Sequence, residues 1–292
     1  MRWTNLLGTN SKAFVPLLLL LPGVLLFASF FIFPMAVLIE NSFHGYSRLT
    51  GVDPRFTLNN YIQILGDPYY LEICGRTLKL GLMTSVVTLV IGYPIALYLG
   101  VASARQRAWI ILLVLSPLLV SVIVRTFGWL ILLGSNGLLD NLFKAVGLEG
   151  GSMLHNEAAV VAGLANVLLP FMVLSISTSL QGIDPAVPLA ASSLGASPWR
   201  VFASVTVPLS LPGVLSGLLI VFSLASSSFV TPALLGGANY KALSSMIYEQ
   251  SLVLQNWPLS ATFAVTLMVI VFTVLALQRR ALEGGKYKVV FH

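Results

Sequence analysis

The stretch DPAVPLAASSLGASPWRVFASVTVPLSLP, residues 184–212, decides the fold because it is a polar island between two long apolar runs. Proline, glycine and serine punctuate the island, whereas each flanking run has about the 20 apolar residues that a helix needs to cross a bilayer. Turns of this kind would leave backbone polar groups without partners among lipid tails. The island is therefore predicted to lie outside a membrane, between two spans.

The same stretch predicts two short helices. A polar residue followed by proline occurs twice, and proline fits the first helical turn, where amide protons lack partners in any case. Helices are accordingly predicted over about 188–194 and about 198–205. Gly195 supplies the left-handed residue that ends the first helix, and Pro208 is expected to stop the second. Together they would form a compact projection hinged at Gly195.

Composition places the whole chain in a bilayer. Of its 292 residues 57% are hydrophobic and 9% are charged, and the mean hydropathy is +0.91, whereas a soluble domain carries about a quarter charged residues. The sequence predicts an all-α membrane protein, a single domain over 1–292 with a loop at 181–212. Its six spans are predicted at about 14–39, 77–102, 109–133, 158–180, 213–235 and 259–277.

The first apolar run is interpreted as an uncleaved span. Arg2 and Lys12 form a basic start like that of a secretory signal, whose apolar centre extends over about 7 to 15 residues. Here the apolar run continues well past that length, through Pro22 and Pro34 to Ile39. A span, not a signal peptide, is therefore predicted.

Basic residues set the predicted orientation, because Lys and Arg are retained on the cytoplasmic side. With the N-terminus inside, the inner segments are rich in Lys and Arg, and acids outnumber bases in the outer segments. Both termini and residues 184–212 are thus predicted to face the cytoplasm. This topology also explains the net charge of +6, and no aromatic-interleaved basic stripe points to nucleic acid.

The outer loop at 40–76 contains turn signals and aromatic residues. A short helix is predicted there over about 58–65, with Thr57 as its N-cap. The outer loop at 134–157 could equally receive a partner or be a solvated connector.

Several chemistries have no signature in the sequence. It contains no G-x-x-x-x-G-K-[ST] phosphate loop, so no ATPase activity is predicted. None of the ten Asp and Glu residues falls inside the predicted spans, where proton- or sodium-coupled carriers usually place carboxylates. His44, His155 and His292 lack metal-ligand spacing. No catalytic residue, metal site or cofactor is therefore predicted, and a transporter driven by a separate ATPase fits these features.

The loop resembles the segment with which permease subunits of ATP-binding-cassette (ABC) importers grip their ATPase. That pattern, the EAA motif, is Glu-Ala-Ala, three residues, Gly, nine residues, then Ile-x-Leu-Pro, and Leu189 stands at its Glu position. The matching residues are Ala190, Ala191, Gly195, Val205, Val207 and Pro208. The resemblance implies coupling roles for Leu189, Ala190, Ala191, Gly195 and Pro208, and Arg200 is a candidate to pair with an acid on the ATPase.

Further segments resemble the spermidine/putrescine-type permease branch of the type I importers. They are FTLNNY at 56–61, SVIVRTFGWLILLGSNGLL at 121–139, LLPFMVL at 168–174, SFVTPALLGG at 228–237 and NWPLSA at 256–261. The resemblance implies a bacterial inner-membrane protein that works with an ATPase dimer carrying ATP and Mg, a second, non-identical permease, and a periplasmic solute-binding protein. The expected solute is a polyamine or related amine.

Arg125 is the leading candidate on the substrate path. It lies about 16 residues past Trp109, roughly 24 Å along the predicted third helix, and a charge at such depth is costly and normally faces a bundle interior or a watery cavity. The alternative is that it snorkels to the outer headgroups. A bare arginine would repel a polyamine, so either it pairs with an acid such as Glu249 or the substrate carries an anionic group. Aminophosphonate, opine and amino-acid-like substrates therefore stay open, and ferric ion is a further alternative.

Hydroxyl groups of the fifth span are the other candidates. A hydroxyl-lined conduit would use Ser223, Ser226, Ser227, Ser228 and Thr231. The alternative is close helix packing, which the G-x-x-x-G spacing of residues 213 and 217 also favours.

The last outer loop offers Tyr240, Glu249 and Trp257, which could contact an amine by cation–π interaction and ion pairing. The two aromatic residues could instead serve as interfacial anchors. The rival from another class is a secondary carrier or channel that acts without ATP.

Overall fold

The computed structural model describes residues 11–146, 152–237 and 240–283. Within these residues the chain is almost entirely helical, with one antiparallel hairpin of β1 (His44–Ser47) and β2 (Gly51–Phe56). The predicted all-α membrane fold is confirmed, because six described helical segments are long and apolar enough to cross a bilayer. These segments are Leu19–Asn41, Pro68–Val101, Val122–Ala145, Glu157–Gln181, Pro198–Ser227 and Trp257–Gln278.

The helices follow one another along the chain with three π-helical turns among them. In order they are α1 (Ser11–Phe27), the turn Ala28–Ile32, α2 (Phe33–Asn41), α3 (Asn59–Gly66), α4 (Pro68–Val101), α5 (Ala104–Leu119), α6 (Val122–Leu133), α7 (Leu138–Ala145), α8 (Glu157–Gln181), α9 (Ala186–Ser193), α10 (Pro198–Val201), the turn Phe202–Thr206, α11 (Val207–Ser227), α12 (Val230–Leu235), α13 (Leu243–Tyr248), the turn Glu249–Val253 and α14 (Trp257–Glu283).

Helices α4, α8 and α11 form the centre of the bundle. Leu80, Leu164, Met172 and Val221 are almost completely buried there. Gly213 lets α11 approach α8 closely, since a Cβ at this position would overlap the carbonyl oxygen of Ser175.

Gly217 makes a second close approach one turn further along α11. A Cβ there would lie 2.6 Å from the Met172 sulfur. The G-x-x-x-G spacing therefore serves helix packing.

A second cluster fixes the outer elements. Ser42 is completely buried, and its carbonyl oxygen accepts from Thr262 Oγ1 at 3.0 Å and from Asn60 Nδ2 at 3.3 Å. Its hydroxyl group also bonds the hydroxyl of Tyr61 at 2.7 Å. The end of α2, the hairpin and α3 are thereby tied to α14.

The bounds of the outer helix agree with the prediction to within one residue, but its N-cap is Leu58 and not Thr57, as predicted. Helix α3 runs over Asn59–Gly66, and Thr57 Oγ1 accepts from the Asn59 N–H at 3.2 Å. The hairpin beside it was not predicted, because the Asp53-Pro54 pair in β2 indicates a turn.

Three predicted spans differ from the structure. The second span begins at Pro68 and not at 77, because the Asp67 side chain accepts from the Tyr69 N–H at 2.9 Å and proline occupies the first turn. The third, predicted as continuous over 109–133, is divided at Val120 and Ser121, which are not helical, and the third segment that is long and apolar enough to cross a bilayer runs over Val122–Ala145.

The fifth span, predicted over 213–235, is interrupted at Ser228 and Phe229. Pro232 has no N–H for the Ser228 carbonyl, which instead accepts from Ser244 Oγ at 2.7 Å. The predicted orientation of the termini concerns 1–10 and 284–292, which lie outside the described residues.

Candidate functional site

The loop at 181–212 presents one short helix, α9, whose two ends are closed by local hydrogen bonds. Asp184 Oδ1 accepts from the Ala186 N–H at 2.9 Å at its start. At its end the Gly195 N–H donates to Ser192 O at 3.0 Å, and the Ala196 N–H donates to Ala191 O at 3.2 Å. This is a Schellman motif, and Gly195 has the left-handed φ of +84° that the sequence predicted.

The second predicted helix of the loop, over about 198–205, does not end before Pro208. It starts as expected, with Ser197 as N-cap and Pro198 in the first turn. It then passes through the π-helical turn Phe202–Thr206 into α11. The wider turn accommodates the missing N–H of Pro208. The projection is therefore α9 together with the inner end of the fifth span.

Large apolar side chains are exposed on this projection. Leu189 is 66% exposed, Leu194 90% and Trp199 75%. A groove of about 300 Å³ runs between α9 and the following helix, with Gly195 and Arg200 in its wall. Exposed apolar residues beside a cation are a surface suited to a protein partner.

Most of the predicted coupling residues reach this surface. Ala190, Gly195 and Arg200 are exposed, whereas Ala191 and Pro208 are half-buried. No described ion pair involves Arg200. Leu194 and Trp199 were missed as contact residues, although a tryptophan in a loop outside the spans was a usable signal.

Aromatic packing braces the projection against the second span. The Trp199 and Phe202 rings lie 5.3 Å apart, and Phe202 lies 5.9 Å from Tyr93 of α4. The Tyr93 hydroxyl is 2.8 Å from Ser210 Oγ on α11. A push on α9 would thus reach the bundle through packed side chains.

Arg125 does not pair with Glu249, and its hydrogen-bond partners are backbone carbonyl groups. Its Nη1 donates to the carbonyl oxygen of Pro117 at 2.5 Å and to that of Val120 at 3.3 Å, across the interruption of the third span. Glu249 instead accepts from Lys241 Nζ at 2.6 Å, and this hydrogen bond raises the pKa of the Lys241 ammonium group.

The fifth-span hydroxyls separate into two groups. Ser226 and Thr231 are buried in helix contacts, Ser226 against Gly81 and Thr231 against Gly163. Ser223 is half-buried and Ser227 is exposed, so these two face away from the centre of the bundle.

Ser216 extends the outward-facing group. It is exposed, and it lines with Ser223 a groove of about 780 Å³ between α11 and α14. Its spacing of seven residues from Ser223 was a signal that sequence reasoning overlooked.

The aromatic candidates of the last outer loop differ in exposure. Trp257 is 54% exposed, whereas Tyr240 is 8% exposed, and burial raises the pKa of its phenol to about 12, with the Glu157 carboxylate adding to the shift. An unpredicted aromatic pair, Phe229 and Tyr248, stacks at 4.3 Å beside the interruption of the fifth span.

Among the residues that the structure describes, no three His, Cys, Asp or Glu side chains come close enough to hold a metal ion. The geometry at hand is that of a binding surface and a membrane path.

No protein-family model matches the chain. The chain is 31% identical over 254 residues to the spermidine/putrescine transport system permease protein PotB of Escherichia coli, which covers 86% of this chain and 92% of PotB. It is 28% identical over 283 residues to the inner membrane ABC transporter permease protein YdcU of the same organism, covering 90% and 88%. It is also 33% identical over 157 residues to the molybdenum transport system permease protein ModB of Haemophilus influenzae, covering 52% and 67%.

Two solved structures share the fold. One is of a bacterial ABC transporter that imports the acidic polysaccharide alginate, with a TM-score of 0.70, 20% identity, and coverage of 92% of this chain and 96% of that one. The other is of a bacterial alginate ABC transporter in complex with an alginate pentasaccharide-bound periplasmic protein, with a TM-score of 0.74, 16% identity, and coverage of 94% and 95%.

Proposed function

The chain belongs to the spermidine/putrescine-type permease family of ABC importers, and from this membership we propose that it forms part of the inward path for a polyamine. It is a multi-pass inner-membrane permease subunit. The observation that carries the substrate assignment is the 31% identity to a spermidine/putrescine permease along 92% of that protein.

The energy comes from a partner. In this proposal an ATPase dimer holds ATP and Mg and binds α9 on the cytoplasmic side, with both termini on that side. The exposed Leu189, Leu194 and Trp199 supply apolar contact, and Arg200 faces an acid on the ATPase. ATPase closure pushes on α9, and the packing of Trp199 and Phe202 transmits the movement to the second and fifth spans.

Two other partners complete the proposed importer. A second, non-identical permease subunit forms the other half of the path, and a periplasmic solute-binding protein delivers the solute to the outer face. The alginate transporter solved with its periplasmic protein provides a precedent for such a complex.

The outward-facing serines fit a cationic solute. Ser216, Ser223 and Ser227 each donate their single hydroxyl proton to a carbonyl oxygen four residues earlier, at 2.9, 2.8 and 2.9 Å. A serine hydroxyl has one donor and two lone pairs, so all three remain available as hydrogen-bond acceptors, Ser216 and Ser223 in the groove and Ser227 on the exposed surface of α11. Ammonium groups are pure donors and match them.

The spacing of these three serines along α11 also suits an extended polyamine. Four residues of helix separate Ser223 from Ser227, which is about 6 Å. Ser216 and Ser223 are seven residues, or about 10.5 Å, apart. Both distances are on the scale of the separation between amino groups in an alkyl polyamine.

A competition experiment tests the substrate. Uptake of radiolabelled spermidine is measured in cells with and without this chain, against an excess of unlabelled putrescine, aminophosphonate, opine, amino acid or ferric citrate. Uptake that depends on the chain and is inhibited by putrescine supports the proposal. Inhibition by one of the other solutes alone, or uptake independent of the chain, would overturn the polyamine assignment.

A further inference from the structure

The helix that the sequence predicts as the third span is divided in two. Helix α5 ends at Leu119, Val120 and Ser121 are not helical, and α6 starts at Val122. Helix α5 is about 24 Å long and α6 about 18 Å, against a hydrocarbon core of about 30 Å. Neither helix by itself is long enough to cross the core, and the end of α5 is open to a side-chain partner.

The end of α5 carries carbonyl groups that need donors. The last four carbonyls of a helix have no intrahelical partner, and among the described residues the Val120 N–H does not bond back to them. Pro117 also removes the donor for the Leu113 carbonyl, which the Ser116 hydroxyl replaces at 2.8 Å. Carbonyl groups without a backbone partner accept from nearby side-chain donors, and they form the negative end of the helix dipole.

The guanidinium of Arg125 fills this place. Its Nη1 donates to the carbonyl oxygens of Pro117 and Val120. Arg125 belongs to the first turn of α6, where its backbone N–H donates to Ser121 O at 3.0 Å. No described carboxylate pairs with Arg125, so its electrostatic partner is the carbonyl end of α5.

We propose that the carbonyl end of α5 is a binding site for a primary ammonium group, which Arg125 occupies in this conformation and vacates when a substrate amine replaces it. Carbonyls at helix interruptions bind cations in other transporters, and an ammonium has the same charge as the guanidinium with three N–H donors. The exchange leaves the charge of the site unchanged.

Such an exchange explains how a cationic solute can pass an arginine. The guanidinium of Arg125 occupies the carbonyl site when no substrate is bound, and it competes with the substrate ammonium group for that site. The identity of the substrate amine rests on the proposed function, whereas the ammonium site itself rests on the geometry of α5 and Arg125.

The first test measures the site without transport. The full chain in lipid nanodiscs is unfolded by heat with and without millimolar methylammonium, and with neutral methylurea. Arg125→Ala should be stabilised by methylammonium and not by methylurea, and the wild type by neither. Arg105→Ala is the control, since Arg105 lies on α5 and no described hydrogen bond joins its side chain to a carbonyl group. Equal stabilisation of both variants, or none of Arg125→Ala, would overturn the site.

The second test covers the case in which Arg125→Ala fails to fold. Arg125→Gln removes the competing cation but keeps an amide donor, so the KM for spermidine in the assembled transporter should fall about tenfold, because the binding-competent fraction rises. Arg125→Lys should stay near the wild type. A KM that rises in Arg125→Gln would mean that Arg125 binds an anionic group, which overturns the inference. If the wild type moves no spermidine, the proposed function fails, while the nanodisc experiment still judges the site.

Discussion

The backbone N–H of Ala196 donates to the carbonyl oxygen of Ala191 at 3.2 Å and closes α9 around Gly195. Gly195 has a φ of +84°, and nothing lies within 4 Å of the place where its Cβ would be. A side chain there would thus meet open space but a strained backbone. The shape of the projection depends on one glycine conformation.

Replacing Gly195 should uncouple the proposed importer. A left-handed residue with a side chain costs about 1–2 kcal/mol, so Gly195→Val should open the end of α9 and lower substrate-stimulated ATPase activity roughly tenfold or more. The activity is measured on the assembled complex. Gly100→Ala is the control, because Gly100 lies inside α4 with open space around it. Full stimulation in Gly195→Val would refute the coupling role of α9.

Leu189 should contribute through its apolar surface. It is 66% exposed at the position where the importer pattern has a glutamate, and truncation of an interface anchor costs on the order of 2 kcal/mol. Co-purification of the ATPase should therefore weaken in both Leu189→Ala and Leu189→Glu. Leu49→Ala, at a 96% exposed position of the hairpin connection, is the control. Equal activity in the wild type and both Leu189 variants would show that the position matters little. A stronger association in Leu189→Glu would show that the ATPase expects the charge.

How far the sequence predicted the fold can be seen at its prolines and glycines. The six apolar runs predicted the number of spans, and Gly195 predicted the end of α9. Both predictions depend on local properties, the length of an apolar run and the backbone conformation of one residue. The interruption after Pro117 was not predicted, because proline is tolerated inside membrane helices and whether it bends or breaks them depends on neighbours. Likewise Pro208 did not stop its helix, since a π-helical turn absorbed the missing donor.

Gly213 should tolerate no side chain. Its Cβ would overlap the Ser175 carbonyl oxygen, and overpacking of this kind costs about 1–3 kcal/mol. Gly213→Ala should therefore lower the unfolding temperature of the full chain in nanodiscs. Gly75→Ala, inside α4 with nothing within 4 Å, should leave stability equal or slightly higher. Equal effects of the two substitutions would contradict the close approach of α8 and α11.

The Lys241–Glu249 pair should add a small amount to the free energy of unfolding, and this contribution should be lost at strongly alkaline pH. The hydrogen bond raises the folded-state pKa of Lys241 above its usual 10.5. The contribution is therefore present in full below pH 10.5 and is lost as the pH rises through the higher folded value.

Half-exposed pairs of this kind are worth about 0.2–1 kcal/mol. A double-mutant cycle with Lys241→Met and Glu249→Gln, run by thermal unfolding at about pH 8 and about pH 11, should show a smaller coupling energy at the higher pH. A coupling that is the same at both pH values would rule out the ion pair.

The substrate path was the hardest part to predict. Hydroxyls at 223, 226, 227 and 231 look alike in the sequence, yet Ser223 and Ser227 face away from the centre of the bundle, whereas Ser226 and Thr231 are buried in helix contacts. Arg125 was identified as unusual from its depth. Its partners could not be, because the carbonyls of Pro117 and Val120 become available only where the helix breaks.

The most direct test is uptake into proteoliposomes that contain this chain, its permease partner and the ATPase, with the solute-binding protein and labelled spermidine outside. Inward transport driven by ATP on the ATPase side predicts accumulation with enclosed ATP and Mg and none with a non-hydrolysable analogue. Accumulation without ATP, driven by a proton or sodium gradient through this chain alone, would contradict the account and identify a secondary carrier.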